Sequence, residues 1–145
     1  MKTTERFDNA IHKLYEAFNN KKLNPEDCKY CAVGTILNHT DSWQYLTDKH
    51  GSQSLNYVGM IHQNMGRRFN GYTPLELLNI EATFLKGCGY YFNKTHHLIR
   101  PPNTPLLFDG FYEVVKLLCK FEGLNDLIDY TELFKEYQSE VVLSN

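Results

Sequence analysis

Apolar residues recur at three- and four-residue spacing along most of the chain, in stretches cut apart by Gly, Pro and helix-capping residues. A 3.6-residue period directs such stretches to one face of a helix, and each face then needs a partner. The clearest start is Thr73-Pro74-Leu75-Glu76, where a capping Thr, Pro in the first turn and Glu three residues after the cap can satisfy each other's unpaired N–H groups. That spacing predicts a helix running to Gly87. By the same signals, helices are expected over 5–20, from the capping Asn24 and Pro25 to about residue 37, and from Asp41 towards Gly51. Others are expected over 55–68 with Val58, Ile61 and Met65 inward, from Asp109 to Phe121, and around 130–139. Between 89 and 107, three prolines with paired aromatics and histidines predict a long loop, with an extended piece at Tyr90-Tyr91-Phe92.

With no internal repeat or linker-like tract, the expectation is an all-α fold. Residues 1–145 would form a single compact multi-helix bundle or array of about six helices. The length of 145 residues and 42% hydrophobic content suffice for one core without staples and argue against an intrinsically disordered chain. Apolar runs are too short to span a bilayer, and residues 1–6 lack the apolar core of a secretory signal, so a cytoplasmic setting without membrane contact is expected. Thiols stay reduced there, leaving Cys28, Cys31, Cys88 and Cys119 as free thiols, metal ligands or redox groups.

The formal charge of −2 hides an asymmetry: +3 over 59–100 and −5 over 101–145. The basic stretch interleaves Arg67, Arg68, Lys94 and Arg100 with Tyr90, Tyr91, His96 and His97. Cations beside stackable rings suit contact with a partner or single-stranded nucleic acid. The bland alternative is rings in a core and charges in solvent, and a pI near 6.3 lacks the footprint of a dedicated nucleic-acid binder.

Cys28-Lys29-Tyr30-Cys31 is a C-x-x-C run near an expected helix start, where two thiols share a face and their acidity rises. Three readings stay open. One is a redox pair, and another is a metal site completed by His39, His96 or His97. The commoner one is a stripe of small residues, with Ala32, Gly34 and Ile36, that admits a neighbouring helix. Glu81 falls among Leu77, Leu78, Phe84 and Leu85 on its helix, which makes it a candidate buried carboxylate in need of a partner. His12 and His62 fall on helix flanks and read as surface or boundary residues. No phosphate loop, dinucleotide fingerprint, H-E-x-x-H or G-x-S-x-G is present. No catalytic residue, complete metal-ligand set or cofactor is therefore assigned.

The segments Asn24–Gly34, Gly71–Glu81 and Phe84–Gly89 resemble a family of short bacterial proteins that often carry the label of a sodium-translocating NADH-quinone reductase component. That resemblance implies an oxidoreductase in which a ferredoxin-like iron–sulfur domain is joined to flavin- and NADH-binding domains. The four cysteines do not form the C-x4-C-x2-C run of plant-type clusters.

Three expectations of function follow. The first is a non-enzymatic interaction or regulatory module, an inhibitor or adaptor docking on a protein or nucleoprotein partner. The second is a thiol redox or metal-binding protein centred on Cys28 and Cys31, and the last is a reductase-associated component.

Overall fold

The computed structural model describes residues 3–124, so the helix expected around 130–139 lies outside the described residues. The described chain is mostly helical: α1 (Glu5–Asn19), α2 (Ala32–Ile36), a 3-10 turn (Ser42–Leu46), α3 (Tyr57–Asn64), α4 (Pro74–Cys88) and α5 (Leu107–Phe121). Two short antiparallel strands, β1 (Tyr91–Phe92) and β2 (Leu98–Ile99), pair Tyr91 with Ile99 and Phe92 with Leu98 between α4 and α5. They place a hairpin within the expected loop. None of the described helices is long and apolar enough to cross a membrane.

Local signals account for α1 and α4. Thr4 caps α1 by accepting from the Phe7 N–H, and Phe7, Ala10, Ile11, Leu14 and Ala17 form its buried face. At the head of α4, Thr73 accepts from the Glu76 N–H while the Glu76 carboxylate accepts from the Thr73 N–H. Gly89, with φ of 105°, ends that helix in the left-handed region.

Helices α4 and α5 make the central packing pair and cross closely where both lack side chains. A Cβ on Gly110 would overlap Cys88 Sγ and reach 2.9 Å from Phe84 O, and one on Gly87 would stand 2.7 Å from Gly110 Cα. At the other end of α4, Arg6 ties three helices together. Its guanidinium pairs with Glu122 at 2.8 Å and Glu76 at 3.2 Å, donates to Gly71 O and lies 4.7 Å over the Tyr72 ring.

The stretch expected as a helix from Asp41 forms only the 3-10 turn, and α5 starts at Leu107, ahead of the expected Asp109, with no side-chain cap. Two further segments depart more from expectation. Residues 25–30 form turns, and helix begins only at Ala32. Asn24 Oδ1 accepts from the Glu26 N–H and Asp27 Oδ1 from the Lys29 N–H, so side chains take the donors a helix would have directed along its axis. Cys28 and Cys31 consequently do not share a helix face. Gly34 does permit a close approach, though by the Cys28–Lys29 backbone and not by a second helix. The other departure is α3, where Val58, Ile61 and Met65 face solvent and are 47, 40 and 63% exposed. The helix packs through buried Gly59, whose missing side chain lets it sit against Leu46 O. Periodicity identifies residues that share a face, but not which face meets the core.

Candidate metal centre

Three elements far apart in sequence converge behind the 3-10 turn. Cys31 occupies the capping position of α2, Glu81 projects from the middle of α4, and His50 lies in the turn that follows the 3-10 segment. The ligand atoms of Cys31, His50 and Glu81 all lie within 4.8 Å of one another. Cys31 and Glu81 are buried, whereas the His50 side chain is 26% exposed.

Each group is held by further bonds. Glu81 Oε2 is 2.6 Å from His50 Nε2, and Oε1 accepts from the Val33 N–H at 3.4 Å. When the carboxylate is ionised it only accepts, and Nε2 is then the donor in this bond. Cys31 Sγ accepts from the Gly34 N–H at 3.4 Å and lies 3.5 Å from Cys28 O. Cys28 O also receives the indole N–H of Trp43 at 3.0 Å, and the Trp43 ring stands edge-on to His50 with centroids 5.7 Å apart. The sole Trp of the chain therefore lies beside the cluster.

The local electrostatics oppose an independent nucleophile. Burial, reinforced by the Glu81 charge, pushes the Cys31 thiol well above its ordinary range. The same causes raise Cys28 and take Cys88 up to about 12. A reactive cysteine needs a thiolate in a cationic, accessible setting. The Nε2 of His50 bonds Glu81 at 2.6 Å rather than the thiol. Thiol, imidazole and carboxylate do form a donor set for zinc, which takes S at about 2.3 Å and N or O at about 2.0–2.2 Å, often with three protein ligands and an open fourth position.

The remaining expected site residues are dispersed. Cys28 is half-buried and supplies its carbonyl to the cluster. His39 packs on Tyr30 and bonds Lys29 O, while His96 and His97 lie exposed in the β1–β2 turn with Lys94. Among the described residues, none of these histidines joins the Cys31 group. Tyr90, expected on a contact surface, is instead buried in the core. Arg100 pairs with Glu26 at 2.9 Å, while Tyr91 stays exposed. Arg67 and Arg68 precede the N-terminus of α4, whereas the hairpin follows its C-terminus. Fifteen residues at about 1.5 Å each put those groups roughly 20 Å apart along that axis. His62, expected at the surface or a boundary, packs its ring on Phe69, and its Nδ1 is buried without a hydrogen bond among the described residues.

Sequence reasoning singled out Cys31 and Glu81 separately and missed His50. No cysteine or second histidine lies within ten residues of His50, and its partners are 19 and 31 positions away. No family model matches the sequence, and no curated protein or solved structure is significantly similar to it.

Proposed function

We propose that this chain is a metal-binding protein that holds a zinc-class ion with Cys31 Sγ, His50 Nε2 and Glu81 Oε2. The observation that carries this reading is the convergence of the three donor atoms within 4.8 Å, from three separate elements. Metal binding would displace the thiol proton and the proton shared by His50 and Glu81. Two anionic ligands then neutralise a divalent charge, and the N–H groups of Gly34 and Val33 already support the sulfur and the carboxylate. The exposed edge of His50 is the side from which a water completes the coordination. With Cys31 and Glu81 shut in the core, the ion serves chiefly as a tie between α2, the 3-10 turn and α4.

The test is metal analysis of purified protein, followed by cobalt titration. One equivalent of metal, a thiolate-to-cobalt charge-transfer band and a change in Trp43 fluorescence are expected, with all three lost in Cys31→Ser and Glu81→Gln. A correctly folded protein that takes up neither zinc nor cobalt overturns the proposal.

A second reading, an interaction module, is favoured by α3. Val58, Ile61 and Met65 stand at i, i+3 and i+7 in solvent, flanked by exposed Tyr57 and Met60. That is the pattern an amphipathic helix presents to an apolar groove on a protein partner. Under this reading, Ile61→Glu with Met65→Glu abolishes co-purification of a stoichiometric partner and leaves the circular dichroism unchanged. Identical co-purification by the variant rejects it.

A further inference from the structure

We propose that the cleft between the β1–β2 hairpin, α4 and the loop after the 3-10 turn binds a phosphorylated planar aromatic ligand of the nucleotide class. Its volume is about 780 Å³, within the range of pockets that enclose small molecules. Among the described residues, the wall carries Lys49, Lys86 and His96 and no carboxylate, together with the rings of Tyr91 and Phe92. Charge and stackable surface thus occur in one concavity, as a phosphate joined to a base requires.

The fold holds these groups in place. Lys49 Nζ donates to His96 O at 3.3 Å, which fastens the loop to the hairpin turn while leaving two ammonium protons available. His96 has φ of 61°, a left-handed conformation that is uncommon for a residue with a side chain and is tolerated here in a tight turn. Gly51, with φ of 89°, lets the loop approach the hairpin closely: an added Cβ would stand 2.8 Å from Leu85 Cδ1 and 3.3 Å from Phe92 Cζ. Phe92 touches the loop on one side and stays 40% exposed, and Tyr91 is 57% exposed and the more available to stack. Lys86 also borders a second cleft that contains Asp109 and Glu113, yet it forms no ion pair with either. Its charge remains available to an incoming anion.

The ligand chemistry has two sources, a free nucleotide or one unit of single-stranded nucleic acid. Both lysines and both rings line the same cleft, which favours a free nucleotide.

Calorimetric titration of the full chain with AMP, UMP, adenosine, ribose 5-phosphate and a trinucleotide tests the proposal. One-to-one binding of a mononucleotide is expected, with adenosine and ribose 5-phosphate each at least about tenfold weaker. Lys49→Ala with Lys86→Ala should weaken binding about ten- to a hundredfold, the worth of charge-assisted hydrogen bonds. Tyr91→Ala should weaken it about five- to a hundredfold and Tyr91→Phe hardly at all, as loss of a stacking ring predicts. These side chains are exposed, so unchanged circular dichroism is expected in every variant and certifies the comparison. A trinucleotide that binds more than about tenfold tighter than AMP or UMP assigns the ligand to single strands; equal or weaker binding assigns it to free nucleotides. No detectable binding at millimolar nucleotide, adenosine as tight as AMP, or lysine variants without effect would each overturn the proposal.

Discussion

Replacing His50 by Ala in metal-free protein removes the short bond to a carboxylate that is 1% exposed. What remains to Glu81 is the weak Cys31 thiol donor and the 3.4 Å bond from the Val33 N–H, neither of which replaces the imidazole. Removing the donor that a buried carboxylate depends on costs about 3 kcal/mol or more, because the acceptor left behind is neither hydrogen-bonded nor hydrated. His50 is itself partly open to solvent, so the vacated space admits water and the expected cost falls to about 2–3 kcal/mol. That is a large share of the roughly 5–15 kcal/mol that holds a domain folded. Glu81→Gln behaves differently. Its carbonyl keeps the Val33 N–H, and its amide donates to Nε2 once the imidazole proton moves to Nδ1, so the cost is about 1 kcal/mol. Both variants lose the metal. Urea denaturation in the presence of a chelator, followed by Trp43 fluorescence and circular dichroism, gives the two values, with exposed His12→Ala as the control. If His50→Ala costs no more than His12→Ala, or Glu81→Gln costs as much as His50→Ala, the cluster is not the coupled buried network described above.

Four further outcomes are expected. Cys31 and Cys88 keep their protons in the folded chain above the ordinary thiol value of 9.0, whereas the unfolded chain loses them there, so stability falls as pH rises from about 9 towards 12. The slope approaches about 1.4 kcal/mol per pH unit for each thiol and is reduced in Cys88→Ala, which urea titrations at several alkaline pH values measure. Arg6→Ala leaves the Glu122 carboxylate, 7% exposed, without its guanidinium and separates α1 from α4 and α5; a loss of about 2–4 kcal/mol is expected by chemical denaturation. Gly110→Ala gains about 1 kcal/mol of helix propensity but must force α5 off Cys88 and Phe84, so the net effect is a destabilisation of about 1–2 kcal/mol, partly rescued by Cys88→Ala in a double-mutant cycle. Gly34→Ala drives a Cβ into the backbone of Cys28 and Lys29, and cobalt titration should report weakened metal uptake along with lower stability.

Much of the helical plan is legible because its determinants are local. Thr4, Thr73, Pro74 and Gly89 act within one turn of themselves and bound α1 and α4. Glu81 was likewise conspicuous as a carboxylate on an apolar face. The failures occur where local signals compete or where the answer lies in another element. Asn24, Pro25 and Asp27 form a helix-start pattern and also a pair of side-chain turns, and the packing of Cys31, Ala32 and Gly34 beneath residues 28–29 favours the turns. In α3 the apolar stripe is real, yet a single glycine sets which side meets the core.

Sequence alone therefore determined a mostly helical chain, the caps that start α1 and α4, and the two candidate residues Cys31 and Glu81. Their association with each other and with His50 was decided in three dimensions. Their sequence separations run from 19 to 50 residues, and no spacing rule operates over such distances. The same holds for the cleft, where Lys49 reaches the hairpin turn and Gly51 leaves room for Leu85 and Phe92. Periodicity and capping are properties of a chain within a few turns, whereas a binding site is a property of surfaces that the chain brings together by burying everything else.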